Sequence, residues 1–329
     1  MPPLTRTFAE GLGPLVGSEW FCRPKQRRGR DLRPCKLRWM ALLLAGLLAS
    51  GCEENSSSIG AAVASPSGRI KRVVSLSPAM TTMLVDLGGQ DLLVGRTPWC
   101  RGVDDAAVIG TLEGPDAELL LAAKPDLVLV QPPASGIDPS ILELQRRIGF
   151  EVISQRLDGV GDITAVVRAL GARGVISASS ERAWMDRTEF IRSAVNAAGE
   201  SPRSDVLSID LVMLYSVDPF GLVGSGTYLD EVMIAAGGRN LVRRAGWMEA
   251  GVEELISLEP PLVVLVMAKA DDGRRLATLQ SLPWKKMPRF EVLLSPDAFE
   301  PSTRIPDVVA SLRTVLAPSR PAPTREVAP

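Results

Sequence analysis

The chain contains no histidine in 329 residues. That absence removes the commonest ligand of zinc, manganese and haem iron, and the commonest general base. No cluster of acidic residues at metal-ligand spacing takes its place, so a bound bare metal ion is not expected. There is no G-x-S-x-G elbow either. Ser75, Ser77 and Cys100 lie where a hydrolase nucleophile is conceivable, but nothing stands ready to activate them. GSG at 224–226 is too short and isolated for a phosphate cradle. No catalytic residue is therefore expected. Also missing is any apolar run near the roughly 20 residues that span a bilayer.

Positive charge is scarce over most of the chain. Residues 1–51 hold nine Lys or Arg against three acids, which leaves 28 basic and 35 acidic residues, a net of −7, for the remainder. A body of that sign is not expected to bind nucleic acid. The apolar fraction of 46% is that of an ordinary globular protein with room for two cores.

The basic start runs into residues 40–49 (MALLLAGLLA), closed by Ser50, Gly51 and Cys52. This is the layout of a secretory signal, with a membrane anchor as the less favoured alternative. Small residues before a cysteine and a Ser-rich stretch after it resemble the lipobox of bacterial lipoproteins, with Ala49 where Leu is commoner. The resemblance implies that Cys52 is lipidated and becomes the mature N-terminus, so residues 1–51 form a precursor segment. Loss of Cys22 and Cys35 then leaves Cys100 alone, and no intrachain disulfide is expected. Residues 52–69 read as a flexible tether, and the proline-rich tail 318–329 as disordered.

One sixteen-residue pattern occurs twice, at 115–130 (PDAELLLAAKPDLVLV) and 251–266 (GVEELISLEPPLVVLV). A gapless register pairs Glu118 with Glu254. In each copy a carboxylate precedes a short helical pattern, a proline and a buried-strand pattern. Strands and helices alternate on both sides of a long polar-to-amphipathic segment at 177–200, which reads as one helix. The chain thus divides into an N-terminal α/β lobe (70–176), a connecting helix (177–200) and a C-terminal α/β lobe (201–317). A stiff helical link predicts little opening and closing between the lobes.

Residues 72–100 (RVVSLSPAMTTMLVDLGGQDLLVGRTPWC), 109–130, 224–241 and 251–266 together resemble, in order, the blocks of the vitamin B12 and iron-siderophore family of periplasmic binding proteins. The resemblance covers roughly residues 70–316. It implies two Rossmann-like α/β lobes, mainly parallel in their sheets, joined by one long rigid helix. It also implies a monomeric receptor of an ABC importer that takes a bulky metal chelate, a corrinoid such as cobalamin first and a ferric siderophore second. One glutamate of each lobe then docks on the permease dimer, which assigns Glu118 and Glu254. Either is, alternatively, an ordinary solvated residue near a helix N-terminus. A lipid-anchored scaffold of the same fold is the third reading. No resident cofactor is implied, and the location is the periplasm or cell surface.

Without histidine, a chelate must arrive already wrapped and be recognised by stacking and a few polar groups. Trp99 and Trp247, in the Gly-flanked contexts GRTPWCRG and RRAGWMEAG, are the foremost candidates, one from each lobe. Tyr215, Phe220, Tyr228, Trp284 and Phe299 are further aromatic candidates. Arg96 and Arg304 are candidate hydrogen-bond donors, with a solvated surface role equally open. Trp184, on the connecting segment at apolar spacing, reads as packing.

Overall fold

The computed structural model describes residues 69–111, 114–200 and 208–317. The expected precursor segment, its lipidated Cys52, most of the tether and the proline-rich tail lie outside the described residues.

The first lobe runs β1 (Val73–Ser75), α1 (Pro78–Asp86), β2 (Leu93–Arg96), β3 (Ala107–Val108), β4 (Gly110–Thr111), β5 (Gly114–Pro115), α2 (Ala117–Ala123), β6 (Leu127–Val130), α3 (Pro139–Ile148), β7 (Glu151–Ser154) and α4 (Val160–Ala172). Its sheet is parallel throughout, in the order β3-β2-β1-β6-β7. The link is α5 (Ala178–Glu200), 23 residues long. Trp184 and Ile191 are buried on one of its faces, as the apolar spacing predicts.

The second lobe runs β8 (Ile209–Val217), β9 (Phe220–Val223), α6 (Tyr228–Ala235), β10 (Gly238–Asn240), β11 (Trp247–Ala250), α7 (Val252–Ser257), β12 (Leu262–Met267), α8 (Arg274–Gln280), β13 (Arg289–Leu294) and α9 (Ile305–Leu316). Here β10, β8, β12 and β13 are parallel, while β9 and β11 add two antiparallel strands. Three expectations are corrected. Trp247 sits in an edge strand rather than a loop, paired with Val223. The glycine-bearing stretch after β8 forms a hairpin. The sequence pattern also misses α4 and α8, whose apolar residues are too short in run or too interrupted by Gly and Thr to stand out.

The internal duplication is broader than the repeated pattern, and its register differs by one residue. Ser77 and Thr227 cap α1 and α6, and each helix is followed by a left-handed glycine, Gly88 (φ 82°) and Gly237 (φ 91°). In the repeat itself, Asp116 and Gly251 are the N-caps, Leu120 and Leu255 are fully buried, and Lys124 (φ 44°) and Glu259 (φ 45°) share the left-handed turn. Those pairs lie 135 residues apart (251 against 116, 259 against 124), whereas the gapless pairing is spaced 136 (254 against 118). Strand faces decide between them, because a slip of one residue inverts every side chain. Val128 and Val130 pack outward with Leu120, as Val263 and Leu265 do with Leu255. Glu118 therefore corresponds to Glu253, not to Glu254.

Each sheet has its own outer core, but the largest apolar cluster belongs to both lobes. Leu127 and Leu129 of the first sheet and Leu211, Met213 and Val264 of the second join it, with side chains from α1, α4, α5, α6 and α9. Leu211 and Ile163 are fully buried in this common layer. A buried Leu contributes about 1.5–3 kcal/mol against about 0–1 for an exposed ion pair, so shared burial is what unites the lobes. Leu211→Ala should cost about 2–5 kcal/mol while leaving one cooperative unfolding transition in urea followed by tryptophan fluorescence and far-UV circular dichroism. Separate transitions for the two lobes would contradict a common core.

Candidate functional site

Parallel sheets place ligands at the carboxyl ends of their strands, where the strand order reverses. In the first lobe that point lies between β1 and β6. A cleft of about 680 Å³ opens there, bounded by Leu76 after β1, Thr97 after β2 and Val130 at the end of β6. Its far wall is the segment between β6 and α3, stiffened by Pro132 and Pro133. Trp99 is 45% exposed and lines the same cleft.

Polar groups in the cleft are few. Ser77 Oγ accepts from Met80 N at 3.3 Å as the cap of α1 and donates to Gln131 Oε1 at 3.0 Å. Asp138 caps α3, accepting from Ser140 N at 2.8 Å. The hydrogen bonds from Ser140 hold its carboxyl below the usual carboxylate range. Beneath the cleft, Thr81 Oγ1 donates to Ser75 Oγ at 2.8 Å and lies 3.0 Å from Cys100 Sγ, itself 3.2 Å from Thr97 Oγ1. Ser75, Ser77 and Cys100 are buried and engaged in this packing. Among the described lining residues Asp138 alone carries charge, and none is Lys or Arg.

The second aromatic group lies on the other lobe. Trp247, 43% exposed, meets Tyr215 edge-on at 5.4 Å and Tyr228 at 5.4 Å. Tyr228 is buried, which pushes its phenol upward, and it donates to Ala298 O at 2.9 Å. Tyr215 sits on the carboxyl half of β8, with its hydroxyl 3.4 Å from Met248 O. Trp247 is not among the described residues that line the Trp99 cleft, but a chain of contacts runs between the two. Arg101, two residues after Trp99, pairs with Glu300, and Ala298 two residues before Glu300 holds the Tyr228 hydroxyl.

Other candidates are placed differently. Phe220 is buried in the outer core of the second sheet, with Leu222 and Val263. Trp284 packs on Phe290 and donates to Leu279 O, whereas Phe299 is exposed. Arg96 pairs with Asp104 at 3.3 Å and does not line the cleft. Arg304 forks onto Asp86 of α1, with both contacts at 3.2 Å, and reaches Asp297 at 3.3 Å. Arg304 is thus a joint between lobes, reinforced by Thr303 donating to Asp86 at 2.7 Å and Thr82 to Glu300 at 3.2 Å. Sequence reading missed Gln131, Asp138, Asp86 and Glu300. The one available signal was QPPASGIDP directly after a buried strand, a rigid polar loop at a strand's carboxyl end.

On the surface, Glu118 and Glu254 are both exposed. Glu254 is held by Arg244 at 3.1 Å, and Glu253, the counterpart of Glu118 in the duplication, is exposed beside it.

A second joint has a pH signature. Glu231 of α6 accepts from Val160 N, the first residue of α4, at 2.6 Å. Burial is the leading cause that raises its carboxyl above the ordinary range, with the nearby Asp230 and Asp162 adding to it. A carboxyl that binds its proton more tightly when folded favours the folded state at low pH and loses that contribution as pH rises through the folded value. Glu231→Gln keeps an acceptor for Val160 and removes the charge. Stability measured between about pH 4 and pH 7 should decline less with rising pH in the variant than in the parent; parallel curves would show that the group does not titrate differently on folding.

The comparisons agree with this architecture. None of the curated proteins compared by sequence matches the chain. Among solved structures, a periplasmic heme-binding protein from Pseudomonas aeruginosa superposes with TM-score 0.59 at 23% identity, over 76% of this chain and 94% of its own. A periplasmic vitamin B12-binding protein of Vibrio cholerae gives 0.56 at 18% identity, over 75% and 96%. A possible iron-binding periplasmic solute-binding protein of Staphylococcus epidermidis gives 0.61 at 16%, over 76% and 100%. The sequence profile described as periplasmic binding protein matches residues 73–287, well over half of the chain, and the chain belongs to that family of solute-binding proteins.

Proposed function

We propose that the protein is the receptor of an ABC importer that captures a bulky, uncharged or cationic metal chelate, a corrinoid such as cobalamin, and delivers it to a permease. The observation that carries this reading is the charge of the cleft: among the described residues its lining is aromatic and apolar, with one ionised carboxylate and no cation. Anionic chelates require positive partners. The arginines nearest to that role, Arg96, Arg101 and Arg304, are each paired with a carboxylate, which weighs against a ferric siderophore. Haem iron is held by His, Cys, Met or Tyr. This chain has no His, Cys100 is buried, and its two Tyr hydroxyls, of Tyr228 and Tyr215, lie 2.9 Å and 3.4 Å from the backbone oxygens of Ala298 and Met248. A corrinoid brings its cobalt already enclosed in a ring and needs only stacking surfaces and hydrogen bonds at its rim.

In this reading Trp99 stacks on the chelate from the first lobe, and Trp247, backed by Tyr215 and Tyr228, meets it from the second. Export and a lipid on Cys52 hold the receptor, as a monomer, at a membrane. Glu118 and Glu253 are the matched carboxylates for a two-fold permease, since only equivalent points on duplicated lobes meet equivalent partners. Glu254 is set aside because it lacks that equivalence and is engaged by Arg244.

Titration of cyanocobalamin into residues 60–329 should quench tryptophan fluorescence, and Trp99→Ala should weaken binding about tenfold or more, the equivalent of about 1.4 kcal/mol. Calorimetric silence toward cyanocobalamin together with a response to a ferric siderophore would overturn the corrinoid reading; silence toward both would favour a scaffold. Reversal of Glu118 and Glu253 to Lys should leave that affinity intact and abolish uptake in cells, whereas Glu254→Lys should leave uptake largely intact. Normal uptake in the double variant would remove the docking assignment.

A further inference from the structure

Gln131 projects from the end of β6, and its side-chain orientation follows from its neighbour. Ser77 Oγ receives the Met80 amide hydrogen, so its own hydrogen needs an acceptor, and at 1% exposure water cannot supply one. Gln131 Oε1, 3.0 Å away, is that acceptor. The carboxamide is thereby turned with its oxygen toward α1. Its Nε2 donors are left for the cleft.

Asp138 supplies the opposite character at another wall of the same cleft. Its Oδ1 is occupied by Ser140 N at 2.8 Å. Its Oδ2 lies beside Gly114, where an added Cβ would touch it at 3.7 Å. Asp138 is exposed and lines the cleft, and the absence of a side chain at Gly114 keeps one flank of its carboxylate uncrowded. The cleft therefore presents a fixed donor and an acceptor-only carboxylate, with no cation among its described lining residues to neutralise either a ligand carboxylate or Asp138 itself.

We infer that this cleft reads primary carboxamides on the rim of its ligand and rejects carboxylates in the same place, Gln131 Nε2 donating to an amide oxygen and Asp138 Oδ2 accepting from an amide nitrogen. A primary amide satisfies a donor and an acceptor together, whereas a carboxylate satisfies Gln131 but is repelled by Asp138. Ser77 is a positioning residue, acting through the orientation of Gln131. The depressed Asp138 carboxyl supports the assignment, since the group stays ionised at neutral pH. The inference rests on the chelate-receptor reading and specifies which rim chemistry that receptor selects.

The test compares two forms of one macrocycle: dicyanocobinamide, rimmed with amides, and dicyanocobyrinic acid, with carboxylates in their place. The parent protein should prefer the amide form by about tenfold or more. Asp138→Asn removes the charge yet keeps a good helix cap, so it should fold normally by thermal melting and narrow that preference about tenfold. Gln131→Glu should weaken the amide form about tenfold and the acid form further. Ser77→Ala should lower affinity for the amide form, while Ser77→Thr, which retains the hydroxyl, should restore it. If the parent binds dicyanocobinamide and Asp138→Asn leaves the amide-to-acid ratio unchanged, the rim assignment is wrong and the corrinoid reading stands. If the parent binds neither ring, both are wrong.

Discussion

The structure depends on one layer of apolar side chains that the two lobes own jointly. Leu127 and Leu129 from one sheet, Leu211, Met213 and Val264 from the other, and five helices between them close a single core. Prising the lobes apart would expose this surface to water. The cost of doing so far exceeds what polar contacts at the joint supply, since partly exposed ion pairs contribute about 0–1 kcal/mol each. The long helix α5 is accordingly less a rod between two bodies than one wall of a common interior. A receptor built this way meets its ligand with surfaces already in place and loses little conformational freedom on binding.

Polar residues at the joint have a second consequence. Asp86, Asp297 and Glu300 engage Arg304 and Arg101, and Asp104 engages Arg96. Charges that could have greeted an anionic ligand are thus committed elsewhere, and the described lining of the cleft keeps stacking area, a serine-held amide and one carboxylate. In the proposed reading, ligand preference and lobe geometry are linked through Arg101 and Arg304. Changing the pairing at the joint changes the electrostatic character of the neighbouring site.

Much of the architecture was legible in the chain. Alternating strand and helix patterns, Pro78 and Gly88 bracketing the first helix, and the apolar spacing of Trp184 and Ile191 have local causes and were recognisable without coordinates. Register in the duplicated segment was not. Pro260 and Pro261 stand side by side, so a gapless match was satisfied by either, and only the faces of Val263 and Val264 separate them. Trp247 read as a loop residue because a four-residue edge strand flanked by glycine carries almost no periodicity. Arg304 and Phe220 were placed at a ligand by residue type, whereas an ion-pair fork and an outer core took them.

By itself the sequence determined the two-lobed α/β plan, the link between its halves and the exclusion of histidine chemistry, because these rest on composition, caps and short-range periodicity. Tertiary structure alone decided which glutamate matches which, which aromatics remain exposed, and that Gln131 and Asp138 share a cleft with Trp99. Those outcomes rest on contacts between residues tens to hundreds of positions apart, where one residue of register or one buried partner reverses the result.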